Sequence, residues 1–245
     1  MAQAFLARVA WFDRMVVGRT SLERNNMDFF SLLKESLPLL GQGLVLTLQL
    51  SALSLAIAMV LGIGASLLGM SKHAPLRAIN AVYVSIIRGT PLLVQGFFIY
   101  FGLTGVLGVR ISAFAAGTIA LSLNAGGYLS EIFRGGIQAI DEGQIEAARS
   151  LGLSSAKTMR LVVFPQAIKI MIPSLMNQFI TSLKDTAILS AISVNELTMT
   201  SKTIIARNFK AFEVYSYAAI MYIILITVLT IISKKVEKKL AYDRR

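Results

Sequence analysis

Residues 43–69 contain no Asp, Glu, Lys or Arg. Coiled as a helix at 1.5 Å per residue, that run is long enough to cross the roughly 30 Å hydrocarbon core of a bilayer. A soluble helix of this length would need a polar face, and none is present. Thr47, Gln49 and Ser51 are mild interruptions suited to contacts between helices, and Gly62 and Gly64 allow a neighbour to come close. The run dictates a membrane protein, and four further stretches repeat the pattern at residues 79–107, 111–134, 168–194 and 214–232. Of 245 residues, 55% are hydrophobic and 15% charged, and the mean hydropathy is +0.68. A soluble domain of this length carries far more charge. The reading is all-α: one polytopic membrane domain of about five transmembrane helices over residues 37–238, with a basic tail at 239–245.

Residues 1–36 form an N-terminal extension. Phe5, Val9, Phe12 and Val16 recur at helical spacing beside Arg8, Arg14 and Arg19, which suits a helix lying in the membrane interface. The apolar stretch is too short and too interrupted for a signal peptide. Met27 is a second candidate start.

The formal charge of +11 sets topology here. Basic residues of a membrane protein gather on the cytoplasmic side and meet anionic head groups. There is no aromatic–basic interleaving of the kind that binds single strands, so no nucleic acid is expected. Lys234, Lys235, Lys238, Lys239, Arg244 and Arg245 crowd the tail, and Arg134, Arg149, Lys157, Arg160 and Lys169 surround the connection between the third and fourth spans. With five spans these lie on one side, which places the C-terminus in the cytoplasm and the N-terminus outside. Arg8, Arg14, Arg19, Arg24 and Lys34 pull the other way.

Polar residues inside the apolar runs are the candidates for a pathway, since an unsatisfied polar group away from water costs several kcal/mol. Gly89 and Pro91 break the second span, and such a break is tolerated only against protein or a water-filled cavity; a simple kink is the alternative. Gln95 follows it. In the third span lie Ser122, Asn124 and Glu131; Glu131 and Arg134 are three apart, so a purely structural pair on one helix face is an alternative to a role in transport. The fourth span is expected to kink at Pro173 and to break at Lys184-Asp185-Thr186. Asp185 is either a pathway residue or one half of a buried ion pair, for instance with Arg88.

Between the third and fourth spans, residues 137–165 read as two short helices joined by a turn. Ile137, Ile140, Ala148 and Leu151 fall near one face, and Gly152 suits a helix C-terminus. Ser154 or Ser155 can cap a second helix over residues 156–164, which Pro165 would stop. By periodicity alone this is an amphipathic connector.

The spacing Glu146-Ala147-Ala148, then Gly152, then Val162-Val163-Phe164-Pro165 resembles the EAA loop of permease subunits in ATP-binding cassette importers. Phe164 stands where that pattern has Leu, and Val162 where it has Ile. Three further strings resemble the polar amino acid branch of those permeases: Arg88-Gly89-Thr90-Pro91-Leu92-Leu93 with Gln95 and Tyr100; Leu121-Ser122-Leu123-Asn124 with Tyr128 and Glu131 to Gly136; and Asn177-Gln178-Phe179 with Ser182 and Lys184-Asp185-Thr186. The resemblance implies an importer-type permease that translocates polar amino acids by alternating access across the bacterial cytoplasmic membrane. It implies that Glu146, Ala147, Ala148, Gly152 and Pro165 belong to a coupling helix docking into an ATPase subunit. The implied partners are that ATPase, an extracytoplasmic amino-acid-binding protein, and a second permease chain as homodimer or heterodimer. The rival readings are another small solute, or a non-transporting sensor or scaffold.

Enzymatic chemistry is not expected. No Gly-rich phosphate loop with Lys and Ser/Thr occurs, so ATP and Mg belong to the partner. There is no Cys and a single His, His73, and the scattered acids offer no metal site.

Overall fold

The computed structural model describes residues 29–242. The interfacial helix expected within residues 1–28, and Met27, lie outside the described residues. The chain divides into a unit ending at Leu37 and a second, Pro38–Arg245, which carries the cavity and the loop described below.

Helix α1, Phe29–Gly69, contains Pro38. After a short loop come α2, Ala74–Gly89, and α3, Leu92–Phe97, continued by a π-helical turn, Phe98–Leu103, and α4, Thr104–Leu107. Then follow α5, Ala113–Gln138, and α6, Glu142–Ser150. Helix α7, Ser155–Thr158, passes through a second π-helical turn, Met159–Val163, into α8, Phe164–Asp185, and a 3-10 segment, Thr186–Ile192. Helices α9, Leu197–Asn208, and α10, Ala211–Tyr242, complete the chain.

Among the described residues, three stretches are long and apolar enough to cross a membrane: Phe29–Gly69, Ser155–Ile192 and Ala211–Lys239. The pair Ala74–Gly89 and Leu92–Leu107 is a fourth if taken as one span bent by 105°. The remaining expected span is α5. At 26 residues it is long enough, but its Ser, Thr, Asn and Gly content makes it less apolar. Those residues are covered by protein instead of lipid. Ala116, Ala120, Leu121, Ala125 and Leu129 are all at most 1% exposed, so α5 is the axis around which the others pack. One apolar cluster gathers Leu50, Leu92, Ile99, Leu121, Leu189 and Ile192 around its first half. A second gathers Ala58, Leu129, Phe133, Ile140, Val163 and Met171 around its second half. The approach of α1 to α5 depends on glycine: a Cβ on Gly62 would lie 2.6 Å from Leu129 Cβ and 3.2 Å from the Gly126 carbonyl oxygen.

Several expected boundaries are corrected. The first helix starts earlier than residue 43, and the loop expected before the last span contains α9. The helix after Ser154 does not stop at Pro165. Phe164 N–H reaches back five residues to Met159 O, and this π-turn shifts the register so that Pro165 falls in the first turn of α8, where its missing N–H is not needed. Helix α8 stays helical through Pro173, and it gives way to 3-10 geometry between Asp185 and Thr186, inside the expected break at Lys184-Asp185-Thr186. Leu151 does not share the buried face of Ile140 and Ala148. It is 84% exposed, whereas they are 6% and 5% exposed. Ala148 lies within α6, but Leu151 follows its last residue, Ser150, and stands at the C-cap, where the chain turns off the helix toward Gly152.

Candidate functional site

The 105° turn between α2 and α3 opens the site. Thr90 (φ −126°, ψ 141°) and Pro91 (φ −64°, ψ 142°) are extended, as proline dictates for itself and the residue before it. Below this turn lies a cavity of about 510 Å³, lined by Arg88 to Leu92, by Asn124 and Tyr128 of α5, and by Gln178, Thr181 and Asp185 of α8. That volume is within the range of small-molecule sites. The lining brings together one guanidinium, one carboxylate, two amides and three hydroxyls.

Each helix supplies its side chains at helical spacing. Asn124 and Tyr128 are four apart on α5, and Gln178, Thr181 and Asp185 stand at i, i+3 and i+7 on α8. Arg88 closes the last turn of α2. Its Nη1 is 3.7 Å from Glu131 Oε2, and its Cζ lies 5.6 Å from the centroid of the Tyr128 ring. Glu131 is held more tightly by Arg134, whose Nη2 and Nε donate to its two oxygens at 2.8 and 3.2 Å. The ion pair that could have joined Arg88 to Asp185 is therefore made with Glu131 instead.

Of the sequence-derived pathway residues, Asn124 and Asp185 line the cavity, as do Gly89 and Pro91. Gln95 stands behind the lining: its Nε2 donates to Ile87 O and Thr90 O, and its Oε1 accepts from Asn124 Nδ2 at 3.1 Å. Glu131 belongs to the Arg88–Arg134 ion cluster. Thr186 is fully buried, its hydroxyl donating to Leu183 O at 2.7 Å. Ser122 is buried with no hydrogen-bond partner among the described residues. Neither of these lines the cavity. Arg88, Tyr128, Gln178 and Thr181 also line the cavity and are not among the pathway candidates read from the sequence. Arg88 stood out as a charge in an apolar run, and the spacing of the other three from Asn124 or Asp185 was the available signal.

The loop between α5 and α8 is a second feature. Asp141 Oδ1 accepts from Gly143 N–H at 2.8 Å and starts α6. The helix ends in a Schellman motif: Gly152 has φ +81°, its N–H reaches Arg149 O, and Leu153 N–H reaches Ala148 O. Ser154 caps α7, accepting from Lys157 N–H. Arg149 donates to Ser155 Oγ across the turn. Ala148 is buried, while Glu146, Ala147 and Leu151 are exposed, and Glu146 forms no ion pair among the described residues. The loop thus presents a rigid helix end with an uncovered leucine at its tip. No cluster of His, Cys, Asp and Glu able to hold a metal exists among the described residues.

Residues 58–242 match the family described as binding-protein-dependent transport system inner membrane component. The chain is 39% identical over 215 residues to the arginine transport system permease protein ArtQ of Bacillus subtilis (strain 168), covering 88% of this chain and 98% of that one. It is 39% identical over 206 residues to the glutamine transport system permease protein GlnP of Escherichia coli (strain K12), covering 84% and 94%. Among solved structures, a crystal structure of an amino acid ABC transporter with histidines shares 41% identity at a TM-score of 0.83, over 87% of this chain and 99% of that one. An inward-facing MetNI methionine ABC transporter shares the fold at 18% identity, with a TM-score of 0.70 over 83% and 97%. With three quarters of its length inside the family's bounds and close relatives matched almost end to end, the chain belongs to the inner membrane components of binding-protein-dependent transport systems.

Proposed function

We propose that this chain is the membrane permease of an ATP-driven importer of polar amino acids, and that the cavity under the α2–α3 turn is where the solute rests during translocation. The observation that carries this is the joining of Arg88 and Asp185 in one cavity with Asn124, Gln178 and Thr181. A zwitterion needs a cation for its carboxylate and an acceptor for its ammonium. The arginine, glutamine and cystine cargoes in the relatives' names are all zwitterions with a polar or extended side chain. A lipid or an apolar solute would offer the Asp185 carboxylate no donor at membrane depth, where an unpaired polar group costs several kcal/mol.

Transport runs by alternating access. ATP is bound, with Mg, and hydrolysed in a separate ATPase subunit, whose cleft receives the α6–α7 turn with Glu146, Leu151 and Gly152 at its tip. An extracytoplasmic binding protein delivers the amino acid. A second permease chain, identical or similar, completes the pathway in the bacterial cytoplasmic membrane. The N-terminus lies outside and the C-terminus in the cytoplasm, which puts Lys234, Lys235, Lys238 and Lys239 among the inner head groups. ATP shifts the equilibrium between inward and outward states only as far as it binds one of them more tightly.

The test is Asp185→Asn. It keeps the volume and removes the charge. Uptake of labelled amino acid into proteoliposomes is expected to fall by about tenfold or more, as for a lost charge-assisted contact of ~1.5–3 kcal/mol. Assembly with the ATPase should be unchanged. Wild-type uptake of every amino acid by this variant would remove the cavity from the mechanism.

A further inference from the structure

Four atoms around Gln95 settle which way an amide at the cavity wall must face. Pro91 has no N–H, so Ile87 O, four residues earlier, loses its helical donor. Gln95 Nε2 donates to it at 2.9 Å and to Thr90 O at 3.0 Å. A third neighbour, Thr90 Oγ1, lies 3.0 Å from the same nitrogen. The hydroxyl hydrogen of Thr90 is directed to Ile86 O at 2.7 Å, so toward Gln95 this oxygen acts as an acceptor as well. An atom surrounded by three acceptors must be the amide NH₂, and Gln95 Oε1 must face the other way.

That oxygen accepts from Asn124 Nδ2 at 3.1 Å. It has no hydrogen to give, so the Asn124 atom opposite it must likewise be the nitrogen. Asn124 lines the cavity, and no group among the described residues donates to its Oδ1. The polarity of the broken helix is thus passed through two amides to the cavity wall.

We infer that Gln95 is a positioning residue that fixes Asn124 as a hydrogen-bond acceptor, so that Asn124 reads a donor N–H of the solute and not its carboxylate. The inference rests on the cavity being the solute site, and it adds a specificity element there. Without Gln95 the Asn124 amide is free to turn over and offer a donor in place of an acceptor. A polar site left facing the wrong partner discriminates against its own ligand.

The experiment is a double-mutant cycle read as direct binding of labelled amino acid to the purified permease–ATPase complex without nucleotide. Gln95→Met keeps the length of the side chain and removes both hydrogen-bonding roles. In the presence of Asn124 it is expected to weaken binding about tenfold. In the Asn124→Asp background both side-chain oxygens are acceptors, so Gln95→Met should cost less than about twofold. If Gln95 served only to hold the helix break, the cost would be equal in both backgrounds, and that outcome overturns the inference while leaving the solute site intact. Absence of amino acid binding by the wild-type complex overturns both. If Gln95→Met fails to assemble, Gln95→Glu read at pH about 4 to 5 decides: as the acid it donates its O–H toward Ile87 O or Thr90 O and still presents its carbonyl oxygen to Asn124, so it should bind within about threefold of wild type at the same pH, whereas a tenfold loss contradicts the inference.

Discussion

Glu196 shows how much a single side chain does away from the cavity. It is 0% exposed, yet both its oxygens are occupied. Oε1 accepts from Met199 N–H at 2.7 Å, and Oε2 accepts from Thr198 N–H at 2.8 Å and from the Tyr222 hydroxyl at 3.0 Å. It caps α9 and ties it to α10. Burial pushes its carboxyl above the usual range, outweighing the hydrogen bonds from Thr198, Met199 and Tyr222 that favour the ionised form. A raised folded-state value means the folded protein binds this proton more tightly than the unfolded chain does. The contribution is therefore fully present below the ordinary carboxylate range and is lost as pH rises through the raised value. Glu196→Gln has no proton to lose, so wild type should lose thermal stability relative to this variant as pH is raised from about 4 to 8. Unfolding temperatures of both, measured in one detergent across that range, check the sign. At this scale Asn124 and Asp185 were legible because a polar side chain in an apolar run stands out. Gln95 was legible as polar but not in its role, because its partners Ile87 O, Thr90 O and Asn124 lie 5 to 29 residues away and two of them are backbone.

Helices decide what those residues can reach. Periodicity identified the helical stretches well, because residues that cross a membrane or pack on α5 must be apolar over many turns. It failed at ends and joins. Pro165 read as a stop, yet a π-turn absorbs it and α8 continues beyond it. Leu151 read as part of a buried face, yet it stands at the C-cap of α6, one residue past the last helical position. Its 84% exposure has a consequence at the loop. A leucine held on a rigid helix end and buried by a partner contributes about 1.5–3 kcal/mol. Leu151→Asp should therefore weaken docking of the ATPase by roughly ten- to a hundredfold and lower transport-coupled hydrolysis in proportion. Amino acid binding in the cavity should be left unchanged. Titration of purified ATPase onto the reconstituted permease measures the first effect. Wild-type affinity in this variant would show that the leucine is not part of the contact.

At the scale of the whole molecule, α5 is the common element. Its first half packs on the 3-10 segment after Asp185 and on the start of α3, its second half packs on the entry to α6 and on α8, and the cavity lies along it. A displacement of the α6–α7 turn by a partner can reach the cavity through α8, which carries Pro165 at one end and Asp185 at the other, as well as through α5, which packs on the entry to α6. In the proposed mechanism α8 would join the coupling turn to the cavity and link ATP hydrolysis in the partner subunit to solute movement. The number of spans was legible from composition only in outline. Helix α5, packed against α1, α2, α3 and α8, has less need to be apolar toward lipid, and its Ser, Asn and Gly residues weaken the signal that hydropathy reads.

The most direct measurement is uptake by the assembled importer. The permease would be reconstituted in lipid vesicles with its ATPase subunit and binding protein and offered a panel of labelled amino acids. A polar amino acid should accumulate inside only with ATP present, and hydrolysis should rise only when the binding protein is loaded with that amino acid. An assembled complex that hydrolyses ATP yet moves no amino acid on the panel would contradict the account.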